Sequence, residues 1–171
     1  EGDILRVLEQ MRKELIAKLA AADLTSWGKA RINAMLKDAE TTITAYYVQA
    51  QGVLSPTYAT VAGISATQTA TALAVTAPSR AVLEALVSNM LVEGAPMKAW
   101  WAKQSTDTAF KFASAVRQGI AQSETLNQIF KRVNEATNLA NRNSIALVHT
   151  SVMQVMNDAN VAVLEKNADI A

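Results

Sequence analysis

Cysteine is absent from the 171-residue chain, which excludes disulfide frameworks, thiolate metal sites and cysteine nucleophiles within it. Such a composition suits a reducing cytoplasm. Aromatic residues make up only 5% and prolines number three, so a core must be built from small and aliphatic side chains with few breaks between them. Half the residues are apolar, many of them alanine, and alanine-rich, ring-poor sequences form helices whose axes approach closely. An excess of one charge is missing too, because 16 Lys and Arg balance 15 Asp and Glu. That argues against strong nucleic-acid binding, which rests on many cationic contacts to phosphates. The opening Glu1-Gly2-Asp3, followed by a charged amphipathic pattern, is not a signal peptide. Between Thr41 and Ser79 there is no Asp, Glu, Lys or Arg. A membrane helix needs about 20 predominantly apolar residues, whereas Thr, Gln, Ser, Gly52, Pro56 and Gly63 interrupt this run. It reads as a buried or partner-covered segment outside any membrane.

The apolar periodicity is helical almost throughout. Asp3 stands as an N-cap ahead of Ile4, Val7, Leu8, Met11, Leu15 and Leu19, a first helix reaching about Ala22. Thr25 or Ser26 caps a second, bearing Ile32, Met35, Leu36, Ile43 and Tyr47 and ending near Gly52. Residues 53–78 nearly alternate Thr with Ala or aliphatic residues from Thr67 to Thr76, as a strand would. In so helical a chain they read as broken helix and loop. Pro78 and Ser79 open a helix stopped by Gly94, and Pro96 starts the next where its missing N–H costs nothing. That helix runs through Trp100, Trp101, Phe110, Phe112 and Val116 to about Gly119. Thr125 and Gln128 form a capping box for a helix bearing Leu126, Ile129, Phe130 and Val133. Beyond a polar stretch at Asn138–Asn143, Ile145, Val148, Val152, Val155, Ala159 and Ala162 make a heptad seam on the last helix. The expected fold is all-α, an elongated bundle of about six helices packed at shallow angles without substantial sheet. A helical hairpin (1–52), an uncharged connector (53–78) and a helical region (79–171) divide it.

No catalytic constellation assembles. The one histidine, His149, has no second His or Cys to complete a metal or catalytic set, so a structural or hydrogen-bonding role is expected for it. No serine sits in a Gly-x-Ser-x-Gly elbow, no glycine-rich phosphate loop is present, and carboxylates stand singly on helix faces. Trp100 and Trp101 diverge by roughly 100° on a helix. One should face the core with Phe112, and the other should lie at an edge or touch another protein. Leu147, Met153 and Met156 fall off the last helix's seam, and Val163 flanks it. A helix apolar on more than one face is either central in a bundle or covered by another chain. Trp100, Trp101, His149, Met153 and Met156 are therefore the candidate partner contacts, and no cofactor is expected.

Read in order, Gly94-Ala-Pro-Met-Lys-Ala-Trp-Trp-Ala-Lys-Gln, Phe110-Lys-Phe and Val116-Arg-Gln-Gly-Ile-Ala-Gln-Ser-Glu-Thr-Leu-Asn-Gln-Ile-Phe-Lys-Arg-Val resemble phage minor head proteins of the Mu type. In that family a Trp-bearing helix leads to an Arg-x-Gly turn, a Gly-Glu-Thr or Gly-Glu-Ser turn and a helix ending near Arg-Val. Arg117, Gly119, Glu124, Thr125, Ile129, Arg132 and Val133 match. Ser123 stands where Gly is usual, and a glycine takes positive φ cheaply where serine does not. Val148-His149-Thr150-Ser151, with Asn157 and Ala159 behind, is similar to a second family element, His149 standing where Arg is usual. The resemblance covers roughly residues 80–170.

The resemblance implies a structural virion protein of a tailed phage. Such a minor head, or head morphogenesis, component assists head assembly and DNA packaging or delivery. It implies portal protein, capsid or scaffold proteins as partners, with self-association as a further expectation. It places the protein in the virion head interior after assembly in the host cytoplasm. Arg117, Gly119, Glu124, Thr125, Arg132 and Thr150 would then be structural motif residues. No enzymatic activity is expected, unless a toxin-like domain of the kind fused to some members followed Ala171. Direct DNA binding should be weak or absent. The competing expectation is a cellular helical-bundle adaptor module without catalysis.

Overall fold

The computed structural model describes residues 2–22 and 28–170, the last without its side chain. It is mostly helical, at 86%. In chain order it comprises α1 (Gly2–Ala20), α2 (Lys29–Ala72), α3 (Arg80–Ser88), β1 (Leu91–Val92), β2 (Ala95–Pro96), α4 (Met97–Ala121) and α5 (Leu126–Lys166), then a single 3₁₀ turn at Ala168–Ile170. Five α-helices among the described residues replace the expected six. Contacts group the chain into one unit of residues 1–51 and 101–145 and another of 52–100 and 146–171.

Two expected breaks do not occur, and for one reason. Along α2 the buried side chains continue through Ala50, Leu54, Tyr58, Ala62, Ala66 and Ala70, a four-residue spacing that suits a helix, since residues i and i+4 lie one above the other on its surface. Gly52 therefore does not end the helix, and Pro56 lies inside it. The Thr-Ala alternation misleads because a threonine hydroxyl can be satisfied within a helix. Thr60 donates to the Pro56 carbonyl at 3.0 Å and Thr71 to the Thr67 carbonyl at 2.8 Å, a bond that keeps threonine compatible with a helix. In α5 the Asn138–Asn143 stretch likewise stays helical, because Thr137, Ala140 and Ser144 hold the buried face across it.

Helix ends are a mixture of agreement and correction. Asp3 is not a cap. The helix already includes Gly2, and the Asp3 carboxylate pairs with Arg6 at 3.2 Å. Thr25 and Ser26, either of which was expected to cap the second helix, lie outside the described residues. Gly28 precedes α2, and its carbonyl accepts from the Arg31 and Ile32 N–H groups at 3.0 and 3.2 Å. Ser79 does cap α3, with extended φ and ψ of −68° and 158° and its hydroxyl accepting from Val82 N–H. α3 ends at Ser88, before Gly94, because a hairpin intervenes. Leu91 pairs Pro96 and Val92 pairs Ala95, around Glu93 and Gly94 at φ 49° and 81°. Two successive positive φ values make the turn whose twist suits a tight hairpin. The one short sheet among the described residues thus falls at 91–96, outside the 53–78 segment whose alternation resembled a strand.

In the first unit, α1 buries Ile4, Leu8, Met11, Leu15 and Leu19, and α2 buries Leu36, Ala39, Ile43 and Tyr47. Trp101, Phe112 and Val116 of α4 and Ile129 and Val133 of α5 are buried as well. A polar bolt runs through this core, where the Tyr47 hydroxyl lies 2.8 Å from Thr108 Oγ1 and 3.3 Å from Ser144 Oγ. Burial pushes the Tyr47 phenol above its ordinary pKa, so it stays a neutral hydrogen-bonding group. In the second unit the Asn160 amide oxygen of α5 accepts from both Ser65 Oγ at 2.8 Å and Thr69 Oγ1 at 2.7 Å of α2. The chain after α2 is tied to the end of α5 by Asn167 and Lys166, which donate to the Thr76 and Ala77 carbonyls at 2.9 and 2.8 Å.

Candidate functional site: the α4–α5 corner and the outer face of α5

Four of the six motif residues, Gly119, Glu124, Thr125 and Arg132, meet at one corner. α4 ends in a Schellman arrangement, with Ser123 N–H bonding the Ile120 carbonyl at 3.0 Å and Glu124 N–H the Gly119 carbonyl at 2.9 Å. This geometry needs a left-handed residue at the penultimate position, and Ser123 supplies it at φ 54°. Two residues later Thr125 caps α5. Gln128 N–H donates to Thr125 Oγ1 at 3.3 Å, and Thr125 N–H donates to Gln128 Oε1 at 2.7 Å. That is the reciprocal capping box expected from the sequence. The helices close on each other over Gly119. A Cβ at position 119 would lie 2.5 Å from Ile129 Cγ1 and 3.1 Å from Glu124 Oε2, so glycine here is a packing requirement.

Glu124 then reaches forward one turn and a half to Arg132. Arg132 Nε donates to both carboxylate oxygens, at 2.9 and 2.6 Å, and its Nη2 donates to Glu124 and to Gln122 Oε1. The guanidinium, by this hydrogen bonding first, holds the Glu124 carboxyl below its ordinary pKa, and the pair raises that of Arg132. With its fork occupied by Glu124 and Gln122, Arg132 acts as a brace of the turn. Arg117 is not drawn into this cluster. It is exposed, with Nη2 3.4 Å from Asn33 Oδ1 of α2. Thr150 is also remote, exposed on α5 and donating to the Ala146 carbonyl at 3.0 Å.

The candidate partner contacts separate into three kinds. Trp101 is only 2% exposed and stacks at a tilt with Tyr47, ring centroids 6.1 Å apart. It is the core-facing ring of the pair, covered within its own unit. Its Nε1 has no hydrogen-bond partner among the described residues. Trp100 is the edge ring. It is half-buried and donates from Nε1 to the Val92 carbonyl at 2.7 Å, pinning the 91–96 hairpin to the start of α4. His149, Met153 and Met156 are all exposed, Met153 at 66% and Met156 at 37%.

The heptad seam of α5 requires two corrections. Leu147 and Val163 are buried, so both belong to the inward line and neither lies off it. Ile145, Val152 and Ala162 are only half-buried, while Ser144 and Ser151 are buried in the line itself. Ser151 Oγ donates to the Leu147 carbonyl and Ser144 joins the Tyr47 bolt, which removes the cost of burying a hydroxyl. The outward face carries Met153, Met156, Val161 and Leu164, and no Asp, Glu, Lys or Arg occurs between Arg142 and Asp158. Sequence reasoning also missed Phe110. The sequence put it on the same helix as Phe112, and it is 72% exposed. Its position two residues before the buried Phe112 puts it on the opposite side of α4.

Among the described residues no group of His, Cys, Asp or Glu is arranged to hold a metal ion, and no helix is long and apolar enough to cross a membrane. An open cleft of about 400 Å³ beside α1 and α2 is lined in part by Lys18 and Asp38, which are hydrogen-bonded to each other at 2.6 Å. The chain matches no family model, no curated protein and no solved structure.

Proposed function

We propose that the chain is a structural virion protein of a tailed phage, a minor head component of the Mu type that works by binding other proteins. The observation that carries this reading is the α4–α5 corner. Gly119, Glu124, Thr125 and Arg132, scattered over fourteen positions of the resemblance, have interlocking roles in one turn: close packing, brace and cap. A shared architectural corner is what a structural family would retain in common, and none of these side chains is left over for chemistry. The partners in this reading are the portal protein and the capsid or scaffold proteins, with self-association as an added mode. The uncharged outer face of α5, carrying Met153 and Met156, is the contact surface. The inward seam of α5 packs side by side with its neighbours at shallow angles. The location is the head interior after assembly in the host cytoplasm. Direct DNA binding is weak and salt-sensitive because cations and carboxylates balance, and no catalysis is involved. Co-sedimentation of the purified chain with the cognate portal assembly tests the reading, and a chain that stays in the supernatant at all concentrations would refute it.

A further inference from the structure

We draw no further inference here: the strongest candidate, the exposed Phe110 on the outer face of α4, carries nothing because nothing in the structure shows what covers it.

Discussion

At the scale of single residues, the corner between α4 and α5 sets two opposed effects within three positions. Thr125 satisfies the Gln128 N–H and receives the reciprocal bond, and losing such an N-cap typically costs about 1 kcal/mol. Thr125→Ala should therefore lower the thermal midpoint by about 2–4 °C for a chain of this size. An unchanged midpoint would mean that the cap contributes nothing. Ser123 works the other way. It occupies φ 54°, where a side chain costs roughly 1–2 kcal/mol, against roughly 0.4–1 kcal/mol of extra unfolded-state freedom for glycine. Ser123→Gly should come out stabilising by about 0.5–1 kcal/mol in urea unfolding, since among the described residues the serine hydroxyl has no hydrogen bond that the change would forfeit. Destabilisation would show that the turn is held by something other than its backbone. Ala74, at φ 55° with the same Schellman bonds from Ala74 and Val75 to Thr71 and Ala70, is a second position of this kind.

At the scale of elements, α2 shows why a break can be overestimated. A proline inside a helix removes one hydrogen bond and crowds the carbonyl four residues earlier, at a cost of about 3 kcal/mol. In α2 that carbonyl belongs to Gly52, whose exposed position leaves it open to water. The buried line from Ala50 through Ala70 offsets the cost, since each apolar side chain removed from water contributes on the order of 1 kcal/mol or more. Pro56 is exposed, so Pro56→Ala should raise stability by as much as about 3 kcal/mol in urea unfolding with no change in helix content. A fall would show that the helix depends on the proline's shape. The helical class, the capping box, the Ser79 cap and the buried face of α1 were all legible because each depends on residues within one or two turns. The continuity of α2 and α5 was not, because it rests on burial supplied by distant segments, such as the Asn160 bonds to Ser65 and Thr69. The candidate site divides in the same way. The cap and turn could be read from Thr125, Gln128 and Ser123, whereas the brace from Arg132 to Gln122 and Glu124, and the close approach of Ile129 to Gly119, appear only once the helices fold back on each other.

At the scale of the whole molecule, exposed apolar side chains are ordinary when scattered, and Val48, Ile64 and Val82 need no partner to explain them. The outer face of α5 differs because Met153, Met156, Val161 and Leu164 recur on one helix over twelve residues, beside a stretch without charge. Large contiguous apolar patches on a protein mark surfaces that meet other molecules, and flexible methionine suits contact with an irregular partner surface. Burying one such side chain contributes roughly 1.5–3 kcal/mol, or about ten-fold or more in affinity. Met153→Asp should therefore reduce binding to the cognate portal at least about ten-fold, with a further loss from placing a carboxylate in a dry contact. Because Met153 is 66% exposed in the chain by itself, circular dichroism and the melting midpoint should stay unchanged, separating lost contact from lost folding. Thr106→Asp, on the exposed side of α4, provides the control and should bind like the parent. If Met153→Asp binds the portal as tightly as that control, the outer face of α5 is not the contact surface, and the methionines there are only solvated.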